Sequence, residues 1–130
     1  MSYAERTKVP IERSIAEATK LVERVGAQSV GVVRDWDTYV FAFKIGARSY
    51  RYDIVVDPDD PAESRRRWRV LVLQVKTRVT LIEEAGEPIE AAFMPFQVLP
   101  DGRTVHDHIG AQLAEGRAPP MIPYSTESPA

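Results

Sequence analysis

Tyr39-Val40-Phe41-Ala42-Phe43-Lys44-Ile45, Gly46-Ala47 and then Ser49-Tyr50-Arg51-Tyr52-Asp53-Ile54-Val55-Val56 decide the fold. Tyr39, Phe41, Phe43 and Ile45 alternate with Val40, Ala42 and Lys44. Past the glycine, Tyr50, Tyr52, Ile54 and Val56 alternate with Ser49, Arg51, Asp53 and Val55, a period of two that belongs to β-strands. Upstream, Ser29-Val30-Gly31-Val32-Val33 is short and β-branched, and Asp35-Trp36-Asp37 closes it as a hairpin loop. The three runs predict an antiparallel meander. One face collects aromatic rings and calls for a cover of helices; the other mixes charged and small residues and stays at least partly wet.

The cover lies on either side in sequence. Pro10 to Gly26 has proline at its start, early acids and a final glycine, and Ile11, Ile15, Ala18, Leu21, Val22 and Val25 share one face at the helical period. Asp57-Pro58-Asp59-Asp60-Pro61 ends the sheet. A long helix follows from Ala62 to Ala85, stopped by Gly86, with Trp68, Leu71, Val72, Val75, Val79 and Ile82 on one face. Val70, Leu73, Thr77 and Leu81 lie nearly opposite, so this helix is expected between the sheet and later helices. Its β-branched content also admits a fourth strand over Arg69 to Val75. Pro88 to Phe93 reads as a short helix stopped by Pro95, and Phe96 to Leu99 as an extended piece entering an Asp101-Gly102-Arg103 turn. Thr104 then caps a last helix with Val105, Ile109 and Leu113 inward and Gly116 at its end. The expected class is α+β, a single domain over residues 1–117 with a flexible Pro-rich tail over 118–130.

A chain of 130 residues with 44% hydrophobic content suits one core and excludes wholesale disorder. The absence of cysteine removes disulfides, thiolate zinc sites and cysteine nucleophiles together. No run approaches the ~20 apolar residues that span a bilayer, and Met1 to Arg6 carries no signal core. A soluble, cytoplasmic protein with no membrane association is expected.

The formal charge of −2 hides a layout: 9 Lys/Arg against 10 Asp/Glu over residues 1–60, 6 against 1 over 61–82, and 2 against 8 over 83–130. Either the basic and acidic stretches neutralise each other or the basic one meets an outside anion. Arg65-Arg66-Arg67-Trp68-Arg69 concentrates the question, because guanidinium groups pair bidentately with phosphates and indoles stack on bases. Arginines near a helix N-terminus oppose the macrodipole at ~0.3–1 kcal/mol each, so something must offset them. The candidates are Asp57, Asp59, Asp60 and Glu63, the acidic C-terminal third, or an external partner. Arg65, Arg66, Arg67, Arg69 and Lys76, with Arg6 and Lys8, are the expected nucleic-acid or partner contacts. His106-Asp107-His108 does not suit a metal, since rings two apart on a helix diverge by about 200°. Acid pairs stand beside caps, and phosphate loops and nucleophile elbows are absent, so neither catalytic residues nor a cofactor are expected.

Three stretches carry a resemblance: Ser2-Tyr3-Ala4-Glu5-Arg6-Thr7-Lys8-Val9-Pro10, Arg66-Arg67-Trp68-Arg69-Val70-Leu71, and Val98-Leu99-Pro100-Asp101-Gly102-Arg103-Thr104-Val105. Together they resemble a family of small uncharacterised proteins of bacteriophages, prophages and other bacterial mobile elements, although the span from Val56 to Arg65 is shorter here. The resemblance implies the cytoplasm of a bacterial host and an accessory role, and brings no catalytic residues. The expected function is a non-enzymatic accessory protein contacting nucleic acid, or a nucleic-acid-handling complex, through the basic helix. The alternative is a protein-binding inhibitor of a host enzyme or defence complex that uses Glu83, Glu84, Glu87 and Glu90 as mimics of nucleic-acid charge. Self-association is left open.

Overall fold

A computed structural model describes residues 8–116. Helix α1 (Ile11–Arg24) is followed by β1 (Ser29–Asp35), β2 (Thr38–Ile45) and β3 (Arg48–Val55), then by the long α2 (Pro61–Ala85). A short α3 (Ile89–Ala92), a 3₁₀ turn (Met94–Phe96) and α4 (Val105–Ala114) complete it. The class is mixed α+β. The Pro-rich tail expected from residue 118 lies outside the described residues.

The sheet runs β1-β2-β3, antiparallel throughout. Its register sets Phe43 against Tyr50, Phe41 against Tyr52 and Tyr39 against Ile54, which gathers the predicted aromatic positions on one buried face. The rings interlock at their edges: Tyr39 and Phe41 each meet Trp68 of α2 nearly perpendicularly, and Phe43 meets Phe93 likewise. Trp68 is thus the post on which the sheet rests, and α1 lies along α2 through Ala18 and Val22. The other sheet face is half wet, with Lys44 exposed and Val40 and Ala42 half-buried.

Helix α2 starts on Pro61, is capped by the Asp60 carboxylate accepting from the Glu63 amide, and ends at Gly86 in the left-handed region at φ 70°. It is continuous through Arg69 to Val75, so the fourth-strand reading falls: ridge packing on α1 and the sheet outweighs β-branched propensity there. The second expectation for this helix also needs correction. Leu73 and Leu81 are 41% and 42% exposed, and no later helix among the described residues covers them. A third correction concerns α4. Thr104 caps it as expected, accepting from the Asp107 amide, but it buries none of its residues and Leu113 is 57% exposed.

Candidate nucleic-acid interface

The basic run occupies the second and third turns of α2, and helical spacing sends its members to different surroundings. Arg69 is 6% exposed. Its guanidinium donates to both Glu17 carboxylate oxygens of α1 at 2.7 and 3.1 Å, and to the Ser14 hydroxyl at 3.4 Å. The same hydrogen bonds hold the Glu17 carboxyl below its ordinary value, with the arginine's charge adding to them and partial burial opposing. Arg69 is therefore a clamp between helices, turned away from solvent. Arg67 is exposed and donates from Nε to Glu63 at 3.0 Å, an i,i+4 pair on the helix surface.

Arg65 and Arg66 differ from both. Neither meets a carboxylate among the described residues, and the Nε of Arg65 is buried without an acceptor. Arg65 shares an open cleft of about 370 Å³ with Lys8, Pro10, Ile11, Glu12 and Pro61. Arg66, half-buried, lines a groove of about 250 Å³ on the other flank, between α2 and β3, together with Arg67, Gln74 and Tyr52. Lys76 lies well down the helix beside Leu73, Thr77, Thr80 and Leu81, apart from both hollows. Arg6 falls outside the described residues.

Among the described residues the upstream acids form no ion pair with Arg65 or Arg66. Asp57 accepts from the Asp59 amide at 2.9 Å and Asp60 from the Glu63 amide at 3.1 Å, so two of them shape the turn and cap the helix. The acidic C-terminal third is engaged elsewhere. Glu83 accepts from Arg24, Glu90 stands 3.8 Å from Arg48, Asp101 pairs with Arg103 and Asp107 approaches Arg51 at 3.8 Å. Among the described residues Glu84 and Glu87 carry no ion pair, so the four-glutamate surface divides into two engaged and two unengaged members. His108 is tied at both ring nitrogens, Nδ1 at 2.8 Å from the Arg103 guanidinium and Nε2 at 3.3 Å from the Gln112 amide.

Two features escaped the sequence reading. Tyr52 is 4% exposed and its hydroxyl has no partner; burial and a charged neighbour, Arg78, act on it in opposite senses, and burial wins, pushing its pKa up. Trp36, at the tip of the β1-β2 hairpin, is 75% exposed and adopts φ 51°, a region that bulky residues avoid. The Asp-Trp-Asp run signalled the turn but not that backbone. The chain matches no family model, no curated protein and no solved structure.

Proposed function

We propose that this is a non-enzymatic accessory protein that contacts nucleic acid through the first turns of α2, with Arg65 and Arg66 as its phosphate ligands and Lys8 beside them. One observation carries the reading: these two guanidinium groups have no carboxylate partner among the described residues, while Asp57 and Asp60 serve the turn and the cap and Glu63 pairs with Arg67. Arg69 leaves the expected contact set, because its charge is satisfied by Glu17. Arg67 is a weaker member, its pair with Glu63 being exposed and exchangeable. The resemblance to mobile-element proteins supports an accessory role without specifying the partner.

Fluorescence anisotropy with labelled 20-nucleotide single strands and duplexes tests this. Charge reversal of Arg65 and Arg66 together is expected to weaken binding by at least about tenfold, roughly 1.4 kcal/mol, and reversal of Lys76 to change it far less. Wild-type binding that is undetectable, or untouched by the double reversal, contradicts the reading. The second reading, a protein inhibitor acting through the unengaged Glu84 and Glu87, predicts no oligonucleotide binding in this titration.

A further inference from the structure

We propose that the groove between the open edge of β3 and α2 seats one unpaired nucleobase, so that the nucleic acid bound is single-stranded, with its flanking phosphate on Arg66. The proposal rests on the reading above and names the form of nucleic acid that the same site takes.

The edge follows from backbone alternation. Val56 sends its N–H to Asp37 on the β2 side, whereas the Ser49 carbonyl accepts from Val98 on the far side. Odd-numbered residues of β3 thus present both backbone groups to the far edge. Among the described residues, Gln97 and Val98 cover that edge beside Ser49 and Tyr50. The 3₁₀ turn before them stacks Phe96 on the Tyr52 ring, centroids 3.9 Å apart, and ends the cover. The amide and carbonyl of Asp53 and Val55 have no partner among the described residues, and they border the groove.

The lining describes what fits. Val70, with the edges of the buried Ile54 and Leu71, supplies an apolar wall, the strand edge at Asp53 and Val55 supplies a donor and an acceptor side by side, and Gln74 adds an amide. A base has two flat apolar faces and a rim of alternating donors and acceptors, so a face suits the wall and its rim suits the strand edge. At about 250 Å³ the groove is smaller than the ~300–1,000 Å³ of whole small-molecule sites, which suits a base held by a strand outside it. An extended acidic peptide would have to pair with the same edge. Two open residues fall short of the three or more that strands use, and the nucleobase fits better.

Binding of (dT)12 and (dA)12 is compared with that of a 12-base-pair duplex, by anisotropy and by amide shifts of the isotopically labelled protein. Single strands are expected to bind at least about tenfold tighter than duplex, the loss of one stacked or seated base being of that order, and to shift the amides of Asp53 and Val55. Val55→Pro removes one edge donor at a place where a sheet tolerates proline, and is expected to bring single-strand affinity down to the duplex level without altering duplex binding. Val70→Phe, which fills the groove while keeping the edge, is expected to do the same and guards against misfolding of the first variant. Equal affinity for both forms, unaffected by either variant, overturns the nucleobase site and leaves the phosphate contact standing. Absence of binding to every oligonucleotide overturns both. Tighter binding of the acetylated, amidated peptide Glu-Val-Glu-Val-Glu at the same amides overturns the nucleobase in favour of an added strand.

Discussion

Arg65 and Arg69 stand one helical turn apart, yet one has no carboxylate partner among the described residues and the other is locked to α1. The difference lies in Glu17 and Ser14, which the α1 period delivers to Arg69 once the two helices dock. Truncating Arg69 strands a buried serine and a half-buried glutamate, so Arg69→Ala is expected to cost about 1–3 kcal/mol, less than a fully buried pair because Glu17 faces solvent in part. Chemical denaturation measures it. The Glu17 carboxyl titrates below its ordinary value of 4.5 when folded. Its stabilisation is therefore present above that value and lost as pH falls through the folded one. Melts of the wild type and Glu17→Gln are expected to differ at pH 7 and to converge in acid; a constant gap at all pH contradicts the clamp. The sequence displayed both residues but not their meeting, since pairing across 52 positions depends on how two helices cross.

At the scale of elements, the period-two runs settled the meander. They put Phe41, Phe43, Tyr50 and Tyr52 on one face, and the two-residue Gly46-Ala47 loop then fixes the register that pairs them. The long helix was harder, because its apolar residues occur on two sides and sequence pattern does not say which side finds a neighbour. Packing chose the Trp68, Leu71, Val75, Val79 side. Leu71→Ala is accordingly expected to cost about 2–5 kcal/mol, and Leu73→Lys on the exposed side less than about 0.5 kcal/mol, by denaturant titration. The α4 misreading has the same origin: Leu113 followed the right period, but a helix docked mainly through the 3₁₀ turn has no core to offer it. In the β1-β2 hairpin, Trp36 holds a backbone that suits glycine or asparagine. Trp36→Gly is expected to raise thermal stability, by about 1 kcal/mol, and a fall in the melting temperature contradicts the strain.

On the scale of the whole molecule the charge layout resolves into two circuits. Glu83, Glu90, Asp107 and Asp101 pair with or approach Arg24, Arg48, Arg51 and Arg103, and among the described residues the basic start of α2 has ion pairs only at Arg67 and Arg69. Segment sums exposed the imbalance in the sequence; they could not show that Glu83, Glu90, Asp101 and Asp107 stand against other arginines. In a molecule of net charge −2 we propose that Arg65, Arg66 and Lys8 form a local positive surface, between the Lys8 cleft on one flank and the β3 groove on the other. That surface is the central claim. Its most direct test is the slope of log affinity against log salt for (dT)12, measured for the wild type and for the Arg65→Gln, Arg66→Gln double variant. At ~0.7 per phosphate contact, the slope is expected to flatten by about 1.4 in the variant. An unchanged slope contradicts the assignment of these two arginines to phosphate.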